Sequence, residues 1–117
     1  MGTTLVAKQL VASSFTTGTI PTPSHVAWGD GSTAFTTNDT TLESEIERNA
    51  YTDRILESQT VEFDAVLLTS EAVGSTITET GLLDSSTGGN LFVRDTFGGI
   101  DKTNQFELET RFVIRIK

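Results

Sequence analysis

The most regular alternation of apolar and polar residues lies near the end of the chain. From residue 105 onward every second side chain is polar, and only Val113 interrupts the polar set. A period of two is that of a strand with one buried face, and it leaves no helical alternative. The pattern predicts a long, half-buried strand to the C-terminus. Its core-facing residues are Phe106, Leu108, Thr110, Phe112, Ile114 and Ile116.

Residues 77–97 predict a β-hairpin. Apolar and β-branched residues flank a polar run from Asp84 to Asn90, which is rich in Ser, Thr and Gly and cannot continue a strand. The first arm contains Ile77 and Leu82, and the second contains Leu91 and Phe97. The rest of the chain is predicted to be organised around this hairpin.

Three further segments predict strands. Residues 51–57 form one, and residues 59–69 form another in which Phe63, Ala65 and Leu67 face the core opposite an acidic face. Residues 25–28 form a short strand that enters a tight turn over residues 29–32. Residues 71–75 are predicted to be a turn, and residues 98–99 and 101–104 the connection between the hairpin and the last strand.

The remaining segments have weaker patterns. Leu5, Val6, Leu10 and Val11 lie near one side of a helix over residues 4–14, which is favoured over an arm that pairs as a strand. Gly and Pro residues predict no regular structure over residues 16–24. Residues 42–47 predict a helix of one or two turns, capped by residue 39 or 40, or no helix.

These elements define the predicted fold class as mainly all-β. About six or seven strands follow an N-terminal preamble, which indicates an antiparallel β-sandwich. The length of 117 residues corresponds to one globular unit. We therefore expect an N-terminal arm or short helix over residues 1–23 and a β-sandwich domain over residues 24–117.

Composition narrows the classes of partner. The net charge of −8 and the pI of about 4.4 argue against binding nucleic acid through a basic surface. The sequence contains no apolar run long enough to span a membrane and no basic segment followed by an apolar stretch at its start. The sequence therefore predicts synthesis in the cytoplasm and no membrane partner. It contains no Cys, which excludes disulfides and thiolate sites.

The candidate catalytic residues are few. His25 is the only histidine, so neither a catalytic triad nor a zinc site is indicated. The run from Gly29 to Ser32 lacks the Lys of a phosphate-binding loop and is better explained as a turn. Acidic residues are explained as solvated faces and turn caps, with Ca²⁺ at the Asp30 or Asp84 turn as a minor option. The sequence predicts no enzyme, no metal and no cofactor.

Aromatic residues outside the predicted core suggest contact surfaces. Phe63, Phe106 and Phe112 occupy alternating strand positions and are expected in the core. Phe35 lies in a polar loop after Trp28, so it is either an interface residue or part of a flap that packs on its own domain.

Two separated segments carry a resemblance to a known family. The first consists of HVAWGDGST at residues 25–33, NDTTLESE at residues 38–45, and Arg48. The second consists of ITETGLLD at residues 77–84, GGNL at residues 88–91 and RDTF at residues 94–97. In this order they resemble small virion proteins of tailed phages, and they are similar to the N-terminal, particle-attaching domains of phage tail fibres. Leu83 stands where that family usually has Phe, which leaves the subfamily open.

The resemblance implies a non-enzymatic structural component of a tailed-virus particle, located in the virion, that forms homo-oligomers and docks on other virion proteins. Whether it belongs to the tail, the baseplate, a fibre adaptor or the capsid decoration is open. The alternative is a β-sandwich module that binds carbohydrate or a host surface. The N-terminal segment is the predicted docking arm. The predicted interface residues are Leu5, Val6, Leu10, Val11, Trp28 and Phe35.

Overall fold

The computed structural model describes residues 2–19 and 21–115, which form two antiparallel sheets and one helix. One sheet has the strand order β1-β7-β6-β2-β3, and the other has the order β4-β5-β8. The antiparallel β-sandwich with a short N-terminal helix is therefore confirmed, with eight strands in the described residues instead of six or seven. The elements are β1 Gly2–Thr3, α1 Leu5–Thr17, β2 His25–Gly29, β3 Glu45–Ala50, β4 Asp53–Glu57, β5 Thr60–Leu67, β6 Thr76–Leu83, β7 Leu91–Asp101 and β8 Leu108–Arg115.

The main core lies between the inner faces of the two sheets. The five-stranded sheet contributes alternate residues such as Trp28 and Leu82, and the three-stranded sheet contributes Phe63 and Phe112. Phe63 and Phe112 are directly opposite each other in the β5–β8 register, as the alternation in both segments predicts. Removing these apolar side chains from water is the main force that holds the sheets together.

The central hairpin is confirmed as β6 and β7, but its second strand is longer than predicted. Residues 98–101 are part of β7, because Ile100 pairs with Ile77 and Asp101 pairs with Thr76. The interpretation of residues 98–99 as a connection was therefore wrong. The two glycines lie between the Ile77–Ile100 and Glu79–Thr96 pairs, at an irregularity in the strand register, where glycine is common.

The N-terminal segment contains both a helix and a strand. Gly2 and Thr3 pair with β7, and Thr4 then caps α1 by accepting a hydrogen bond from the Ala7 N–H. The helix continues to Thr17, so the prediction of no regular structure was wrong at residues 16 and 17. Ser and Thr side chains in its second half donate to carbonyls three or four residues earlier, so their hydroxyl groups are satisfied within the helix.

Residues 42–47 form no helix; Glu45 to Ala50 instead form β3, paired with β2. The last strand is confirmed over Leu108–Arg115, and its Ile116 and Lys117 lie outside the described residues. Phe106 was wrongly assigned to the core. It is 36% exposed because it precedes β8, outside the strand that faces the core, and its ring lies 5.4 Å from the Lys102 ammonium. Within the described residues, no helix has the length and apolar character needed to cross a membrane.

Candidate functional site

The loop of residues 30–44 covers the outer face of the five-stranded sheet. Its Leu42 is buried there with Ala27, Leu83 and Leu91 in a second, smaller apolar cluster. The strand register places Ala27 opposite Gly81, whose missing side chain leaves room for Leu42 and Leu91. This sheet therefore has a partly covered outer face instead of a fully solvated one.

Glu79 is the buried acceptor beneath this loop. One carboxylate oxygen accepts from the Gly31 N–H at 2.9 Å and the Ser44 N–H at 2.8 Å. The other accepts from the Glu43 N–H at 2.9 Å and from Arg94 Nε at 3.0 Å. A carboxylate is required, because it has two acceptor oxygens and no competing N–H. Glu79 thus fixes both ends of the loop to β6.

Arg94 is the buried cation of the same cluster. Besides Glu79, its guanidinium donates to Asp39 Oδ2 at 3.1 Å and to the Thr33 carbonyl at 2.9 Å, and Glu43 Oε2 lies 3.8 Å away. Charge-assisted bonds from one planar guanidinium therefore reach the beginning, the middle and the end of the loop. We refer to Glu79, Arg94, Asp39 and Glu43 as the ion-pair centre.

Gly29 and Gly31, where the loop begins, allow the backbone to approach this centre. A Cβ at Gly31 would lie 2.4 Å from a Glu79 carboxylate oxygen. A Cβ at Gly29 would lie 2.2 Å from the Ser44 carbonyl oxygen. Neither contact is possible for a real side chain, so the Gly-x-Gly spacing is needed for the bonds that Glu79 accepts.

The two outer carboxylates of the ion-pair centre are held in their charged form. Burial raises the pKa of Asp39, but hydrogen bonds from Thr36 and the Arg94 guanidinium outweigh it, so that the pKa lies below its ordinary value. Hydrogen bonds from the Thr33 hydroxyl and N–H lower the pKa of Glu43. The loop contacts are therefore strongest when both groups are ionised.

A second contact joins the first segment to the hairpin tip. Arg48 on β3 donates to the carbonyls of Ser85 at 2.9 Å and Gly88 at 2.8 Å, and it pairs with Glu45. Within the tip, Asp84 accepts from the backbone and side chain of Asn90. The residues that carry the resemblance therefore meet in space at two places, the ion-pair centre and the tip.

The ion-pair centre attaches the covering loop to the sheet. A polar cavity of about 330 Å³ adjoins it, lined by residues including Thr33, Asn38 and Arg94. In the described part of the chain every buried side-chain nitrogen and oxygen has a hydrogen-bond partner, and no group of three or more His, Asp or Glu could hold a metal ion. His25 Nδ1 lies 2.7 Å from Ser24 Oγ, and no described carboxylate contacts this histidine.

The predicted interface residues are separated by the fold. Leu5 and Val11 are exposed on α1, whereas Val6 and Leu10 are half-buried. Phe35 is also half-buried, because its ring lies against the backbone of Gly2. Of the two predictions for Phe35, the structure therefore agrees with a flap that packs on its own domain.

Trp28 was wrongly placed at an interface. It is 0% exposed, since it lies on the inner face of β2 and its Nε1 donates to Thr110 Oγ1 of the opposite sheet at 2.8 Å. Its indole links the two sheets and is not accessible to a partner.

Sequence reasoning missed two features. The first is the pairing of Glu79 with Arg94, which joins β6 to β7; the presence of both residues in the second resembling segment was the available signal. The second is Lys102, whose buried ammonium donates to the carbonyls of Leu68 and Thr103. A single lysine in a polar connection gives no pattern from which this could be read.

The site and fold define a class of protein, a mainly β two-sheet sandwich with a loop fixed to one outer face by buried charges. Comparison with protein-family models finds no matching family, and comparison with curated proteins finds no significantly similar relative.

Proposed function

We propose that this chain is a non-enzymatic structural component of a tailed-virus particle, acting by self-assembly and by docking on other virion proteins. The observation that carries the proposal is the role of the residues on which the resemblance rests. Gly31, Asp39, Glu43, Glu79 and Arg94 form one network, with Glu79 and Arg94 buried at its centre, that fixes a covering loop. Residues used in this way specify a rigid shape, which is what a particle component needs.

The exposed surface supports docking as the mode of action. Leu5, Val11 and Phe15 leave much of α1 apolar and accessible, and Leu56 does the same for β4. Apolar side chains clustered at a surface are typical of protein contact sites. The N-terminal helix is accordingly the proposed docking arm, and its partners are other virion proteins and copies of the same chain.

The experiment that tests this proposal is quantitative mass spectrometry of gradient-purified particles produced from the genome that encodes the chain. We expect the chain at a constant ratio to the major capsid protein across gradient fractions and after a high-salt wash. A non-structural protein encoded by the same genome is the matched control for contamination. Absence of the chain from washed particles, or a ratio no higher than that of the control, would contradict the proposal.

The alternative of a carbohydrate-binding module is not favoured by a specific observation. Its predicted contact residues were Trp28, Phe35 and the hairpin tip, and of these Trp28 is fully buried while Phe35 packs on Gly2. Stacking of a sugar ring needs an accessible aromatic face.

A further inference from the structure

An apolar groove runs between α1 and the end of the three-stranded sheet. It has two adjoining cavities of about 440 and 330 Å³ that share Val11, Phe92 and Ile114. Phe15 lines the first cavity and is 86% exposed, and Val61 lines the second. We refer to the surface formed by these five residues as the apolar groove.

The groove is open because the two sheets have different lengths at this end of the molecule. Val61 and Ile114 lie in one row across the three-stranded sheet, and Leu56 extends that row to the edge strand β4. Opposite them the five-stranded sheet ends in β1, a strand of two residues. Leu56 is 78% exposed, so the apolar row continues past the part that the other sheet and α1 cover.

The rim of the groove is basic in a protein with a net charge of −8. Lys8, Arg54 and Arg115 line its two cavities, and neither lining contains an acidic residue. None of these three cations lies within 4.0 Å of a described carboxylate.

The remaining described cations are occupied elsewhere. Arg48, Arg94 and Arg111 form ion pairs, and Lys102 is buried among backbone carbonyls. The described cations without a carboxylate partner are therefore gathered around the groove, where Arg54 lies over the Tyr51 ring at 5.6 Å.

The other end of the three-stranded sheet carries exposed apolar side chains with acidic residues beside them, which complements the apolar, basic groove. Three apolar residues, Leu68, Val73 and Phe106, lie around Lys102 there. The Lys102 ammonium donates to the Leu68 carbonyl and lies over the Phe106 ring. The backbone carbonyl of Lys102 accepts from the N–H of Gly74, which follows Val73 in the chain. These three apolar side chains are exposed. Asp101 and Glu107 are exposed beside Lys102 and Phe106 in the chain. We refer to Leu68, Val73, Phe106, Asp101 and Glu107 as the acidic tip.

A chain cannot place its own acidic tip in its own groove. Thr60 pairs with Arg115 at the groove end of the sheet, and Leu67 pairs with Leu108 at the tip end. The eight residues of β5 separate the two ends by roughly 23 Å at 3.3 Å per residue. The complementary surfaces can therefore meet only between two copies.

We propose that copies of this chain associate head to tail, with the acidic tip of one copy in the apolar groove of the next. This inference rests on the self-assembly in the proposed function and specifies its contact. A face-to-face contact of two grooves brings six like charges together, whereas tip-to-groove contact pairs acidic with basic groups over apolar side chains. A contact between different surfaces repeats, and it closes into a ring or extends into a filament.

The first test is sedimentation velocity of the purified chain over a range of concentrations at low and high salt. We expect species larger than a dimer that become fewer as salt rises, since the rim charges are exposed. Arg115→Glu alone and Glu107→Arg alone should each weaken association at least about tenfold, and the double variant should recover most of the loss. A chain that stays monomeric up to about 1 mM at low salt would overturn the inference.

The second test separates head-to-tail from face-to-face contact. Phe15→Ser disables the groove, and Leu68→Ser with Val73→Ser disables the tip; each should weaken association at least about tenfold. Val113→Ser, a similarly exposed position on the outer face of β8, is the matched control and should have no effect. Circular dichroism verifies that all variants are folded.

Mixing the two disabled chains gives the decisive result. One retains a working tip and the other a working groove, so they should form a one-to-one dimer and nothing larger. If the chain with Leu68→Ser and Val73→Ser dimerises by itself as strongly as the unmodified chain does, the grooves contact each other and the inference is wrong. These outcomes are distinguishable from those of particle mass spectrometry. A monomer found in particles overturns self-assembly and the head-to-tail contact but not the virion role, and an assembling chain absent from particles overturns only the virion role.

Discussion

Replacing Arg94 by Met tests the ion-pair centre most directly. Met retains an unbranched, apolar stem of similar reach and removes the guanidinium. The substitution removes the bonds to Glu79, Asp39 and the Thr33 carbonyl. Glu79 keeps its three backbone N–H donors but loses the guanidinium. The perturbation therefore leaves a buried carboxyl group without its ion-pair partner.

The expected loss of stability is about 3–5 kcal/mol, the usual cost of removing one partner of a buried ion pair. A domain of this size is stable by about 5–15 kcal/mol, so the loss is a third or more of the total for most values in that range. With an unfolding entropy of about 2.1 cal/mol/K per residue, 117 residues give about 0.25 kcal/mol/K. The melting temperature should then fall by about 12–20 °C.

The assay is urea unfolding followed by tryptophan fluorescence, because Trp28 lies in the core and reports its loss. Limited proteolysis provides a second readout, since the loop of residues 30–44 loses its main attachment. Arg111→Met is the matched control: Arg111 also contacts three carboxylates, but its side chain is 57% exposed, and surface pairs contribute little. Arg94→Met should therefore be far more destabilising than the control.

A double-mutant cycle separates the ion pair from general disruption. Glu79→Gln leaves one acceptor oxygen for four donors, so it should itself destabilise by about 2–6 kcal/mol. Combining it with Arg94→Met should cost less than the sum of the single changes by about 0.5–3 kcal/mol, because the partners are in direct contact. Additive losses, or a loss for Arg94→Met below about 1 kcal/mol, would refute the role assigned to the centre.

Three further predictions concern stability. Because the pKa values of Asp39 and Glu43 are lowered in the folded protein, both groups stabilise the fold fully above their unfolded pKa values, about 3.9 and 4.3, and this stability is lost as the pH falls through the folded pKa values. Asp39→Asn should therefore make the free energy of unfolding, measured with urea, depend less on pH below about pH 4. An unchanged pH dependence would contradict this. Gly81→Ala should cost about 1–3 kcal/mol, since the added methyl would lie 2.8 Å from a buried side chain, whereas Gly98→Ala has open space and should change thermal unfolding little; equal effects would argue against close packing at this point. Lys102→Met should cost about 1–3 kcal/mol by removing the buried ammonium that the Leu68 and Thr103 carbonyls accept from, and hydrogen exchange should increase in residues 68–75; no increase would contradict this role of Lys102.

Local patterns were sufficient for the elements in which one face is buried. The alternation in β5 and β8 determined their strands and their core residues, because a period of two is a property of the backbone itself. The polar run between Leu83 and Leu91 likewise determined the hairpin, since its residues favour a turn over a strand. The overall class, an antiparallel sandwich, follows from the number of such segments.

Errors occurred where a distant partner overrides local preference. Residues 42–47 have an acidic first turn that favours a helix, yet Glu79 takes the N–H groups of Glu43 and Ser44, and β2 pairs with the residues that follow. The two glycines at residues 98–99 lie within β7 because β6 pairs with the residues on both sides of them, Thr96 and Ile100. Propensity differences are small compared with several hydrogen bonds and burial, so the tertiary contact decides.

The sequence by itself determined the strands β2 and β4 to β8 and where the hairpin turns, but not β1 or β3. Only the tertiary structure decided that Glu79 and Arg94 meet beneath the covering loop, that Trp28 is internal, and that the free cations surround one apolar groove. The physical reason is distance along the chain. Period and turn chemistry act between neighbours, whereas ion pairs and grooves depend on residues that are brought together only when the two sheets pack.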